Sequence, residues 1–182
     1  MRRFGEAWRA DAPYRDRPGA YALILDAGGR RVLVAATPNK GEALLLPGGG
    51  IDPGEGSVRA LLREVYEETG WAVRHVRRLG AFQRYVWMPD YAKWARKVCS
   101  VHVCRAGRRL GPPLEPDHAP LWMDLPEAAA RLSVAGDRWF AARLARAQGF
   151  AVDLERAAAG PPGPREAPDL PEGWPRPDRR AA

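Results

Sequence analysis

Three carboxylates fall within five residues in R-E-V-Y-E-E-T-G, Arg63 to Gly70: Glu64, Glu67 and Glu68. On a helix advancing about 100° per residue they span roughly 100° of one face. Like charges one turn apart repel each other. Such a cluster is either a solvated acidic face or the holder of a multiply charged cation. A solvated face usually interleaves Lys with Glu to form pairs one turn apart. Here the only close cation is Arg63, next in sequence and expected to point elsewhere. Hard divalent cations take carboxylate oxygens, and magnesium typically adds waters and substrate phosphates to a few of them. The preceding Pro47–Gly56 stretch is dominated by Gly and Pro, which allows backbone to approach a phosphate closely. A metal–phosphate site is the expected chemistry.

The elements that would position these groups can be read from periodicity. Val58, Leu61, Leu62 and Val65 follow helical spacing and predict one apolar stripe, with Ser57 as N-cap and Gly70 just past the end. Upstream, Ala20–Asp26 and Arg31–Ala35 flank an Ala-Gly-Gly-Arg turn and predict a hairpin. Glu42–Leu46 predicts a third short strand, and Pro47–Gly56 no regular element. Downstream, Val73–Tyr85 and Val98–Cys104 predict strands around an aromatic loop, W-M-P-D-Y-A-K-W, followed by a strand at Leu121–Met123. Helices are expected over Pro126–Leu132 and Asp137–Ala147. Mixed strands with a few helices, not strictly alternating, indicate an α+β fold or an α-β-α sandwich.

The chain has 182 residues, which fits one domain with tails. Its apolar runs are too short to span a membrane, and two early arginines lead into no apolar signal segment. Cys99 and Cys104 alternate on a predicted strand, face opposite sides and lie roughly 16 Å apart. They are therefore expected as free thiols in a reducing, cytoplasmic setting. A net charge of +7 suits a phosphate-bearing ligand and also follows from the Arg-rich composition. Seven prolines between Pro161 and Pro177 mark a tail without packed elements of its own, with Trp174 as an anchor candidate.

The frame Gly49-x5-Glu55-x7-Arg63-Glu64-Val65-x-Glu67-Glu68-x-Gly70-Trp71 resembles the Nudix box. Its seven fixed residues, at background frequencies of about 5–10% each, would match by chance about once in 10⁷ starts, which outweighs the solvated-face reading. Trp71 stands where the family more often has Ile, Leu or Val. The resemblance covers roughly Arg17 to Ala147 and implies a Nudix-type α-β-α sandwich. With the change of composition from Ala158, this divides the chain into an arm at 1–16, a Nudix hydrolase domain at 17–157 and a Pro-rich tail at 158–182. It further implies Mg²⁺- or Mn²⁺-dependent hydrolysis of a diphosphate bond in a small nucleotide-type substrate, by metal-activated water. Glu64, Glu67 and Glu68 match the metal ligands, and the carbonyl of Gly48 matches a common further ligand. Arg63 matches the residue that orients the glutamates, and Glu55 the loop glutamate. The base in this family can lie outside the box, and Glu115, Asp117 and His118 in L-E-P-D-H-A-P-L-W are the candidates, Glu115 first.

For the rest of the substrate, Arg84–Lys97 interleaves rings with cations, and Trp87, Trp94, Tyr91 and Arg84 are the substrate-binding candidates. Pro89 stands eighteen positions after Trp71, and Tyr85 and Tyr91 fourteen and twenty, so no subfamily marker is in register. P-G-G-G-I-D-P-G-E looks most like the general nucleoside-triphosphate group, oxidised-nucleotide hydrolases included. Two other readings stay open: hydrolysis of an RNA 5′ end, and a non-catalytic nucleotide-binding module on the same fold. No membrane or DNA partner is expected. A homodimer is common in the family, though no dimer face is legible.

Overall fold

The computed structural model describes residues 1–37, 43–88 and 91–159. Glu42, Pro89 and the expected tail with Trp174 lie outside the described residues. The described chain runs β1 (Arg2–Gly5), β2 (Arg15–Asp16), β3 (Gly19–Leu25), β4 (Arg31–Thr37), β5 (Ala43–Leu45), β6 (Gly48–Gly50), α1 (Ser57–Thr69), β7 (Trp71–Met88), β8 (Lys93–Arg109), β9 (Ala119–Asp124), α2 (Leu125–Arg131), α3 (Ala135–Ala147) and α4 (Leu154–Ala159). One mixed sheet holds the strands in the order β1-β7-β8-β3-β4-β5, with β2 on β8, β6 on β3 and β9 on β4.

Period-2 alternation divides the interior into two cores, one per face. Leu23, Leu25, Val32, Val34, Cys99 and Val101 face one core, with Ala128, Phe140 and Ala142 of α2 and α3 packed on them. Ala20, Ala22, Ile24, Leu33 and Cys104 face the other, covered by Leu61 and Val65 of α1. Helices on both faces of a mixed sheet make the expected α-β-α sandwich. Cys99 and Cys104 are free, and each sits in a different core.

Several local expectations need correction. Gly48–Gly50 is a strand: its backbone pairs with Gly19–Tyr21, because β3 offers a ready-made ladder that composition alone does not reveal. Gly56, not Ser57, is the N-cap of α1, and no side chain caps it. Only half of the predicted stripe is buried. Leu61 and Val65 are fully covered, whereas Val58 and Leu62 are 45% and 42% exposed. Both ends of the expected aromatic loop are strand. Trp87 pairs with Trp94 and Met88 with Lys93, so the β7–β8 ladder runs into the expected loop, as cross-strand aromatic pairs favour. The polar N-terminal stretch also adds backbone to the sheet. β1 pairs parallel to β7, and Phe4 meets Phe82 edge-on at 5.6 Å.

Candidate metal centre

The helix α1 carries all three glutamates and ends where expected. Gly70 adopts a left-handed conformation, φ 72°, and its N–H donates to the Tyr66 carbonyl. The terminal carbonyls beyond that point need partners, and the loop after β8 supplies them. Leu114 and Glu115 donate their N–H groups to the Glu67 carbonyl at 2.7 and 3.1 Å, and Leu110 donates to Gly70 at 2.8 Å. This docking brings Glu115, distant in sequence, against the acidic face.

Two overlapping groups result. Ligand atoms of Glu64, Glu67 and Glu115 lie within 4.8 Å of one another, as do those of Glu68, Glu115 and His118. His118 Nδ1 is 2.9 Å from Glu115 Oε2, though off hydrogen-bond alignment, and Nε2 is 3.5 Å from Glu68 Oε1. Asp117, its neighbour, belongs to neither group. Carboxylates with one imidazole form an oxygen-rich donor set that suits a hard or borderline divalent cation. Clustered carboxylates of this kind repel one another until a cation lies between them, so the residues fit a divalent metal ion.

Gly48–Gly50 packs close to the helix. The ladder bonds from Ala22 N–H to Pro47 and from Ile51 N–H to Pro18 fix the parity of β6, so both polar groups of Gly48 face away from β3. Its N–H donates to Glu68 Oε2 at 2.9 Å. A Cβ on Gly49 would lie 2.3 Å from Glu64 Oε2, so only glycine lets the carboxylate rest there.

Arg63 was expected to point away from the cluster; instead it spans it. Its guanidinium donates two hydrogen bonds to Glu55, at 3.2 and 2.9 Å, and one each to Glu64 (2.9 Å), Glu67 (3.1 Å) and the Gly50 carbonyl (3.2 Å). Five donors in a fixed fork allow this, which a wheel projection of Cβ directions does not convey. The bonds from Arg63 hold the Glu55 carboxyl below the usual range and raise Arg63 itself. Burial pushes the Glu64 carboxyl up, against Arg63. Glu68 is buried more deeply, and burial, with Glu64 and Glu115 nearby, pushes it up to about 8 against the Gly48 hydrogen bond.

The substrate candidates do not form one group: Trp87 and Trp94 pack on each other, on the opposite face of the β7–β8 hairpin from Arg84. Trp94 is 1% exposed and packed against Tyr14 and Trp87, with Arg9 over its ring, so its own chain fills the space a base would need. Trp87 is partly buried beside it. Tyr91 is exposed, with Arg17 and Lys93 at 4.9 and 4.8 Å from its ring centre. Arg84 stands opposite Lys97 with a buried, unpaired Nε. Sequence reasoning did not single out Arg17 or Asp137, which join Arg84 and Lys97 only through strand register and the packing of α3. Among the described residues no helix is long and apolar enough to cross a membrane.

A model of the NUDIX domain matches residues 15–144. A Bacillus subtilis (strain 168) protein provisionally named an 8-oxo-dGTP diphosphatase is 37% identical over 67 residues, which is 36% of this chain and 43% of that protein. The similarity thus spans less than half of that relative. Among solved structures, a MutT protein from Methanosarcina mazei Go1 superposes with a TM-score of 0.57 at 22% identity, over 75% of this chain and 98% of that one. A MutT protein from Bacillus halodurans gives 0.53 at 23%, over 69% and 79%. These two likenesses concern the fold, while the family model spans most of the sequence, box and sheet together, and on that ground the chain belongs to the Nudix family.

Proposed function

We propose that this protein hydrolyses a diphosphate bond in a small nucleotide-type substrate, with Glu64, Glu67, Glu68 and the Gly48 carbonyl holding Mg²⁺ or Mn²⁺. The convergence of the Glu64–Glu67–Glu115 and Glu68–Glu115–His118 groups carries this reading. A bound metal would neutralise the diphosphate and acidify a coordinated water. The chain's own residues do the rest. Arg63 fixes the carboxylates of Glu64 and Glu67 through charge-assisted hydrogen bonds. Gly48 orients Glu68. Glu115 takes the proton from the attacking water; its place in both groups and its 45% exposed side chain support that role. Arg84 and Tyr91 contact the remainder of the substrate, while Trp87 packs on Trp94 across the hairpin.

The name of the Bacillus subtilis relative makes an oxidised purine nucleoside triphosphate the first compound to try. The test is a turnover screen of 8-oxo-dGTP, ordinary nucleoside triphosphates, nucleotide sugars, ADP-ribose and diadenosine polyphosphates with Mg²⁺ or Mn²⁺. Glu67→Gln should lower the rate on any hydrolysed compound by about 10²-fold or more. Equal rates for variant and parent would overturn the role of the acidic face.

A further inference from the structure

Strand register sets three cations side by side. Asp16 pairs with Arg96 and Gly19 with Cys99 in one continuous register, so Arg17 stands level with Lys97. On the other side of β8, Lys97 pairs with Arg84 of β7. Level residues on neighbouring strands share a face, here the face of Cys99 and Tyr21, on which α3 packs. Like charges directly opposite each other in a sheet are destabilising.

Little on the protein offsets this rung. Asp137, at the start of α3, is the buried acid that acts on both Arg84 and Lys97. Its Oδ1 and Arg84 Nε are both buried without a hydrogen-bond partner. Burial, then Arg84, pushes the Lys97 ammonium down to about 8. Cys99 is held as a neutral thiol, pushed up to about 11 by burial, and Tyr21 as a neutral phenol. Arg84 and Lys97 thus share one buried carboxylate, with Glu6 also acting on Arg84, and Arg17 adds a third cation to the rung.

The rung also adjoins the acidic site. Lys97 Nζ lies 5.5 Å from the Tyr21 ring centre. Tyr21 pairs with Gly48, whose N–H holds Glu68. Arg17 reaches from Tyr91 to Gly50, where an added Cβ would lie 3.6 Å from its guanidinium. A ligand bridging the two sets of charges would span only the width of the Gly48–Gly50 strand.

We propose that Arg17, Lys97 and Arg84 receive a further phosphate of the substrate, outside the diphosphate on which the acidic site acts. For its substrate this rests on the hydrolysis proposed above; for its anion binding it does not. The rung then selects substrates carrying a third phosphate over plain nucleoside diphosphates. It acts through KM, because it holds a group that does not react.

The anion test uses the metal-free protein in EDTA, titrated with inorganic phosphate at an ionic strength held constant with chloride. The parent should bind phosphate, and Lys97→Met and Arg84→Met should each weaken binding about tenfold or more. Phosphate binding by both variants equal to the parent's, or no binding by the parent, overturns the proposal. Arg84→Met decides alone if Lys97→Met fails to fold. The substrate arm compares a nucleoside diphosphate, the same compound with a 3′-phosphate, and the nucleoside triphosphate. A preference for the triphosphate that Lys97→Met abolishes through KM assigns the rung to the phosphate chain; the same for the 3′-phosphate assigns it to the sugar. Equal preference in parent and variant overturns the selectivity. If no compound is hydrolysed, the proposed hydrolysis fails, and the phosphate titration still decides the rung.

Discussion

Glu64 lies against the backbone of Gly49, 2.3 Å from where a side chain's first carbon would begin. The obstacle is a carboxylate pinned by Arg63, so it cannot swing aside freely. Gly49→Ala should therefore displace Glu64 and weaken divalent binding about tenfold or more, while the fold persists. Isothermal titration with Mn²⁺ checks this, and unaltered affinity would refute it.

Glu68 gives a pH signature without metal. Its folded value, about 8, lies above the ordinary 4.5, so the folded state prefers the protonated form. The associated stability is fully present below the ordinary value and is lost as pH rises towards and through 8. Glu68→Gln keeps an acceptor for the Gly48 N–H and removes the charge. In EDTA it should match the parent near pH 5 and exceed it at pH 9 by about 1–3 kcal/mol. Urea unfolding at both values measures the difference; a variant less stable than the parent at pH 9 contradicts the assignment.

Metal should reverse that order. The crowded carboxylates repel when empty and are neutralised when a divalent cation binds. Mg²⁺ or Mn²⁺ should raise the thermal midpoint of the parent, and Glu64→Gln should shrink that gain. A scanning fluorimetry series with and without EDTA reads both effects.

Glu115 separates chemistry from stability. Its N–H, not its side chain, ties the loop to α1. Glu115→Gln should cut kcat by about 10²-fold and leave the metal-free midpoint within about 1 °C. An intact kcat would return the role of base to another group.

Arg138 is 2% exposed, and its guanidinium donates to the carbonyls of Ala157, Leu132 and Ser133. Arg138→Met should strand those acceptors and destabilise the fold by about 2–4 kcal/mol, freeing α4 first. Amide exchange over α4 checks the location of the effect.

The sequence revealed most where a single element carries its own period. Glu64, Glu67 and Glu68 share a helix, so their common side followed from residue spacing, and the Gly70 stop followed from its chemistry; their division into two groups around Glu115 did not. What depended on distant partners was hidden. Gly48–Gly50 became a strand only because β3 lies beside it, and Phe4 joined a core through a parallel pairing across the length of the domain. The wheel misplaced Arg63, which the box resemblance had set to orient the glutamates, because a wheel gives the direction of a Cβ and not the reach of a guanidinium. Trp94 looked like a platform for a base until Tyr14, eighty residues earlier, covered it.

Cys99 and Cys104 leave the protein with one thiol in each half of its interior and no cross-link between them. Both thiols are buried, so neither reacts until its own layer opens. A thiol reagent thus becomes a clock with two hands, timing the α1 side and the α2–α3 side separately in the unlabelled, native chain.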